Sequence, residues 1–117
     1  MPILLKRVYQ KPTAEDGKRI LVERLWPRGL KKEDAKIDEW LKEVAPSSEL
    51  RKWYSHDPAK WPEFKKRYWK ELDAKKALIE RVAKESRERT LTFVFGSKEE
   101  KLNNSAALKE YIETKPK

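Results

Sequence analysis

The residues best equipped for chemistry fall in two stretches far apart in the chain: Glu23, Arg24, Trp26 and Arg28, then Lys98, Glu99, Asn103 and Asn104. Guanidinium forks, an ammonium and two carboxamides suit the binding of a phosphate or carboxylate, because each supplies N–H donors and most supply positive charge. The same set is poor in groups for covalent chemistry. Cysteine is absent, which removes disulfides, thiolate nucleophiles and Cys-ligated zinc. A single histidine, His56, rules out a multi-His metal centre. His56 precedes Asp57, the pairing of a general base with an orienting carboxylate. Asp57, however, stands before Pro58, where a carboxylate caps a helix, and adjacent side chains rarely face one another. The chain holds three glycines and neither a phosphate-cradling glycine loop nor a GxSxG elbow. No catalytic residue is assigned, enzymatic activity is left open, and no cofactor or metal is expected.

Those two stretches need elements to bring them together. Ile3–Tyr9 reads as a strand of branched and aromatic residues, followed by the breaker Asp16-Gly17. Arg19–Leu25 carries the continuous apolar run Ile20-Leu21-Val22, the pattern of a strand covered on both faces, and ends at Trp26-Pro27-Arg28-Gly29. Ile37, Trp40, Leu41 and Val44 lie at i, i+3, i+4, i+7 and predict an amphipathic helix that stops before Pro46. Ser47 caps a short helix through Leu50 and Trp53. Asp57-Pro58 opens a longer one, with Trp61, Phe64, Tyr68 and Leu72 along one side. Leu78, Ile79, Val82 and Ala83 mark another helix. Thr90–Phe95 is the third strand, and Asn103 or Asn104 caps a final helix that buries Ala107, Leu108, Tyr111 and Ile112. Trp40, Trp53 and Trp61 belong to core stripes by this spacing.

The order is β-β-α-α-α-α-β-α, so the fold class is α/β: a small, mainly parallel sheet of about three to four strands flanked by helices, in one domain over residues 1–117. A long helical crossover makes the second and third strands parallel neighbours with carboxyl ends side by side. Ligands of open α/β sheets bind outside such ends. The expected site is therefore a basic, polar rim of Arg24, Trp26, Arg28, Lys98, Asn103 and Asn104, with Glu23, His56 and Glu99 as accessory groups. The amino terminus of the final helix adds about half a positive charge there. The expected ligand is a phosphorylated or carboxylated small molecule. Each member also has a plainer reading: Arg24 and Arg28 as ion-pair partners of Glu23, Asp38 or Glu39, and one asparagine as a cap.

Charge offers a second function class. The chain of 117 residues carries a net charge of +9, with 42% charged residues. The excess leans toward the middle helices, where Lys65, Lys66, Lys70, Lys75 and Lys76 suggest a nucleic-acid-binding module, although Glu63, Glu71 and Asp73 interrupt them. Interspersed Lys and Glu with one Met is also the composition of a thermophilic surface. A third class is an interaction protein whose polar rim is structural. No run of about 18 apolar residues exists to span a membrane, and the first residues lack a signal-peptide stretch, so the expected location is the cytoplasm.

Several segments resemble the YeaO-like family (domain of unknown function 488). They are Arg7-Val8-Tyr9, Asp16-Gly17, Leu21-Val22-Glu23-Arg24-Leu25-Trp26-Pro27-Arg28-Gly29, Ile37-Asp38-Glu39-Trp40-Leu41-Lys42, Ala45-Pro46-Ser47, Leu50-Arg51-Lys52-Trp53, His56-Asp57-Pro58 and Asn103-Asn104. The likeness runs through nearly the whole chain and implies a small α/β domain without an assigned activity. This sequence departs from the family pattern at Gln10, Glu23 and Glu99, where the family carries aspartate, and at Leu102, where it often carries histidine. An anion-binding role tolerates those changes better than a fixed acid–base mechanism does.

Overall fold

The computed structural model of the chain describes residues 3–99 and 101–114. Its elements are strand β1 (Ile3–Arg7), strand β2 (Lys18–Leu21), helix α1 (Lys32–Ala35), strand β3 (Glu39–Trp40), helix α2 (Ser48–Tyr54), helix α3 (Trp61–Asp73), helix α4 (Lys76–Glu88), strand β4 (Leu91–Phe95) and helix α5 (Asn104–Thr114). The four strands form one sheet in the order β1-β4-β2-β3, with every pair parallel. The last strand is thus inserted between the first two: Leu5 pairs with Phe93, and Phe93 with Ile20. The parallel neighbours expected from the long crossover are β2 and β4.

Continuous apolar character in β4 follows from this central position, since all five of its residues are buried. Ile3, Ile20, Leu91 and Phe93 point to one face and join Phe64, Tyr68, Leu72, Val82 and Leu108 from α3, α4 and α5. Burial of each such side chain stabilises the fold by about 1.5–3 kcal/mol. Leu21 and Val94 point to the other face, into a smaller cluster with Val8 and Ala35, covered by Trp26, Leu30, Ile37 and Trp40.

Caps set the helix boundaries where the sequence places them. The Ser47 hydroxyl accepts the Leu50 N–H at 3.2 Å, and the Asp57 carboxylate accepts the Ala59 N–H at 3.0 Å in a single 3-10 turn leading into α3. Asn103 caps α5 by accepting the Ala106 N–H at 3.0 Å. A buried polar knot ties together β1, β2 and β4. The Asp16 carboxylate accepts from Lys6 on β1 at 3.1 Å and from Arg19 on β2 at 2.7 Å, while the Thr92 hydroxyl of β4 donates to the Asp16 carbonyl at 2.6 Å.

One expected element does not form. The stripe Ile37, Trp40, Leu41, Val44 is not an amphipathic helix: α1 ends at Ala35, Lys36 adopts a left-handed conformation with φ 49°, and the chain runs extended as β3 into a 3-10 turn over Lys42–Val44. Ile37 and Trp40 pack on the smaller cluster, whereas Leu41 and Val44 pack in the main core. Neighbouring residues of an extended segment point to opposite faces. Two apolar pairs split across a sheet edge therefore imitated helical spacing, and backbone bonds from Asp38 to Arg19 and from Leu41 to Leu21, both 2.9 Å, won the segment for the sheet. The strands are also shorter than expected, with β1 ending at Arg7 and β2 at Leu21.

Candidate functional site

The carboxyl ends of β2 and β4 open into a cleft of about 660 Å³. Pro27 ends the segment after β2 and Gly96 begins the turn after β4, so neither strand continues past the rim. Glu23 and Arg28 arrive from the first segment, Gly96 and Ser97 from the second, and Asn103 and Asn104 from the start of α5. The carboxyl end of α2 and the turn after it close the remaining side with Arg51, Lys52, Tyr54 and His56.

Glu23 carries the distinctive electrostatics. Its Oε1 accepts the Gly96 N–H at 3.2 Å. Burial raises its pKa, and the Gly96 hydrogen bond and the charges of Arg51 and His56 offset that only in part. Arg51 and His56 act on it through space without forming an ion pair with it. Arg28, Arg51 and Lys52 are exposed lining residues whose side chains make no hydrogen bond or ion pair among the described residues. Some cations elsewhere on the surface are engaged, Lys65 with Glu110 at 2.8 Å, Arg67 with Glu63 at 2.9 Å and Arg81 with Glu39 at 2.8 Å, whereas the exposed Lys66 and Lys70 of α3 make no side-chain bond among the described residues. What sets the cleft apart is that its cations share one concavity.

Backbone contacts hold the lining in place. The Tyr9 hydroxyl donates to the Arg28 carbonyl at 2.8 Å, and Tyr54 donates to the Leu102 carbonyl at 2.8 Å. The Asn104 amide donates to the Val22 carbonyl at 2.9 Å, docking α5 on the tail of β2. Ser55 and His56 occupy consecutive left-handed conformations, φ 45° and 56°. Such conformations disfavour side-chain-bearing residues by about 1–2 kcal/mol each, and they cluster where a backbone is shaped around a site. The His56 ring lies 6.1 Å from that of Tyr54.

Of the residues singled out from the sequence, the cleft gathers Glu23, Arg28, His56, Asn103 and Asn104. Arg24, Trp26, Lys98 and Glu99 are not among its lining. Arg24 donates to the Pro46 carbonyl at 3.3 Å, and neither it nor Arg28 pairs with Glu23, Asp38 or Glu39. The Trp26 N–H donates to the Leu30 carbonyl at 2.7 Å while its ring packs edge-on against Trp40, 5.4 Å away. Lys98 is exposed. The Glu99 carboxylate accepts the Lys101 and Leu102 N–H groups at 3.0 and 3.1 Å, which lowers its pKa. Arg51, Lys52 and Tyr54 were missed. The Arg51-Lys52 pair opposite the buried Leu50 was the available signal, but only the packing of α2 against α3 puts it beside the strand tips.

Among the described residues no group of three or more His, Cys, Asp or Glu is placed to hold a metal, and no helix is long and apolar enough to cross a membrane. Lys65 of α3 is ion-paired, and Lys75, between α3 and α4, donates to the Glu43 carbonyl.

Residues 2–117 match the family described as the inactive DUF488-N3 subclade. The chain belongs to that family. It is 38% identical to the uncharacterized protein YeaO of Escherichia coli (strain K12) over 112 residues, which cover 96% of this chain and 97% of YeaO. It is 46% identical over 78 residues to an uncharacterized protein of Mycobacterium tuberculosis (strain ATCC 25618 / H37Rv), covering 67% of this chain and 66% of that one. The match thus spans just under two thirds of the mycobacterial relative's own length. No solved structure matches the chain.

Proposed function

We propose that this chain is a non-catalytic binding domain whose cleft takes a small organic anion bearing phosphate or carboxylate. The observation that carries this reading is the convergence of Arg28, Arg51 and Lys52 on one concave site with no acidic side chain bonded to any of them. Unpaired guanidinium groups at the strand tips of a parallel sheet supply forked donors for an anion. The amino end of α5, brought to the cleft by Asn103 and Asn104, adds favourable potential. The cleft's volume of about 660 Å³ falls in the range of small-molecule sites, about 300–1,000 Å³. The family's description as inactive supports binding over turnover.

Titration calorimetry with inorganic phosphate, sugar phosphates and nucleotides tests the reading. Arg28→Ala and Arg51→Ala each weaken binding by about tenfold or more, the loss of one charge-assisted hydrogen bond. Their thermal stability stays close to the parent's, because neither side chain bonds to the fold. Lys98→Ala, outside the cleft, leaves affinity within about twofold. Arginine variants that bind as well as the parent would end the anion-site reading.

A further inference from the structure

The cleft combines three free cations with one acid, and the acid is the harder of the two to explain. Glu23 is half-buried and lines the cleft. Only Oε1 is hydrogen-bonded, to the Gly96 N–H at 3.2 Å; Oε2 accepts nothing among the described residues. Arg51 and His56 influence it through space, yet neither comes within ion-pair distance, 4.0 Å. Taking a carboxylate partly out of water with no ion-pair partner is unfavourable. A structural role does not account for the charge: a glutamine at position 23 would accept the Gly96 N–H through its carbonyl oxygen and place no charge in the cleft. What a carboxylate adds is the ability to receive a cationic donor.

We propose that the natural ligand is a small zwitterion, whose anionic group is held by Arg28, Arg51 and Lys52 and whose protonated amine is received by Oε2 of Glu23. This rests on the anion-site reading above and narrows its ligand class. Burial that disfavours the Glu23 charge turns to advantage once an ammonium group sits against it, since the pair attracts more strongly away from water. The three cations likewise see a ligand of balanced charge, so a free anion lacking the amine forgoes the Glu23 contact.

The experiment compares 2-aminoethyl phosphate with ethyl phosphate by calorimetry on the intact chain and on Glu23→Gln. The parent is expected to bind the amine-bearing probe about tenfold more tightly, and Glu23→Gln to bind both probes alike, at the affinity the parent shows for ethyl phosphate. Equal affinities in the parent, or a preference that persists in Glu23→Gln, overturn the zwitterion proposal while leaving the anion site standing. Failure of both probes to bind the parent overturns the anion site, and the zwitterion proposal falls with it. Circular dichroism of Glu23→Gln confirms that the variant is folded, so a lost preference reports on the charge.

Discussion

The Glu23 carboxylate accepts the Gly96 backbone N–H at 3.2 Å, joining the tail of β2 to the turn after β4. The bond holds together the two sequence segments that build the cleft, and it does so with a group whose ionised form the fold disfavours.

Glu23→Gln should therefore be more stable than the parent at neutral pH. An acid whose pKa is raised by burial binds its proton more readily folded than unfolded. Stability is then fullest below the ordinary glutamate value of 4.5 and declines as pH rises through the folded value. The amide keeps the bond to Gly96 and carries no charge. Thermal denaturation across a pH series is expected to show a higher melting temperature for the variant near neutrality and a gap that closes as pH falls toward 4.5. A gap that is absent at every pH would refute the cost assigned to the charge.

Asp16 has the opposite sign. Burial alone would raise its pKa, but the Thr13 N–H and the Lys6 and Arg19 side chains hold it down at about 2. Its contribution is present above the ordinary value of 3.8 and is lost as pH falls toward 2, about 2–2.5 kcal/mol of the total. Asp16→Asn removes the anion beside Arg19, whose side chain is 4% exposed, and should destabilise by about 3–5 kcal/mol. Urea titration at neutral pH measures it; a loss below about 1 kcal/mol would mean that Arg19 finds another partner.

The two left-handed glycines should respond differently to alanine. At Gly17, φ 62°, an added Cβ would come within 2.3 Å of the Thr90 carbonyl oxygen, so the turn must open. At Gly29, φ 75°, nothing lies within 4 Å, leaving only the backbone preference. Gly29→Ala is expected to cost about 1 kcal/mol and Gly17→Ala clearly more. Similar losses in parallel denaturant titrations would show that the strand-entry turn is pliable.

Tyr68 is fully buried and donates its hydroxyl proton to the Val44 carbonyl. Burial raises its pKa well above 10.0, so it remains a donor at any ordinary pH. Tyr68→Phe strands the carbonyl and should cost about 1–3 kcal/mol with an unchanged urea m-value. A neutral result would mean that solvent reaches Val44.

Much of this architecture was legible in the residues because local and global signals agreed. Ser47 and Asn103 cap the helices they precede, Asp57 caps the 3-10 turn that leads into α3, and the unbroken apolar run of β4 betrays its central position. The failure at Ile37–Val44 came from a period that two geometries share: an edge strand dividing its apolar residues between faces looks like one turn of helix after another. The site was half readable. Glu23, Arg28 and Asn104 follow from strand order alone, but Arg51 and Tyr54 reach the cleft through the docking of α2, a tertiary fact with no local signature. Trp26 and Lys98 sit close to the strand tips in sequence, yet Trp26 turns into the smaller core and Lys98 outward to solvent.

The insertion of β4 between β1 and β2 has a bearing on biosynthesis. As the chain leaves the ribosome, β1 emerges with no partner of its own and β2 with only the two-residue β3, because the strand that bridges β1 and β2 lies about seventy residues downstream of β2. Sheet closure awaits Leu91–Phe95, so the nascent chain carries open strand edges through most of its synthesis and acquires its cooperative structure late. Ribosome-bound chains arrested before residue 91 should be protease-sensitive throughout, whereas an arrest that frees β4 and α5 should yield a resistant fold.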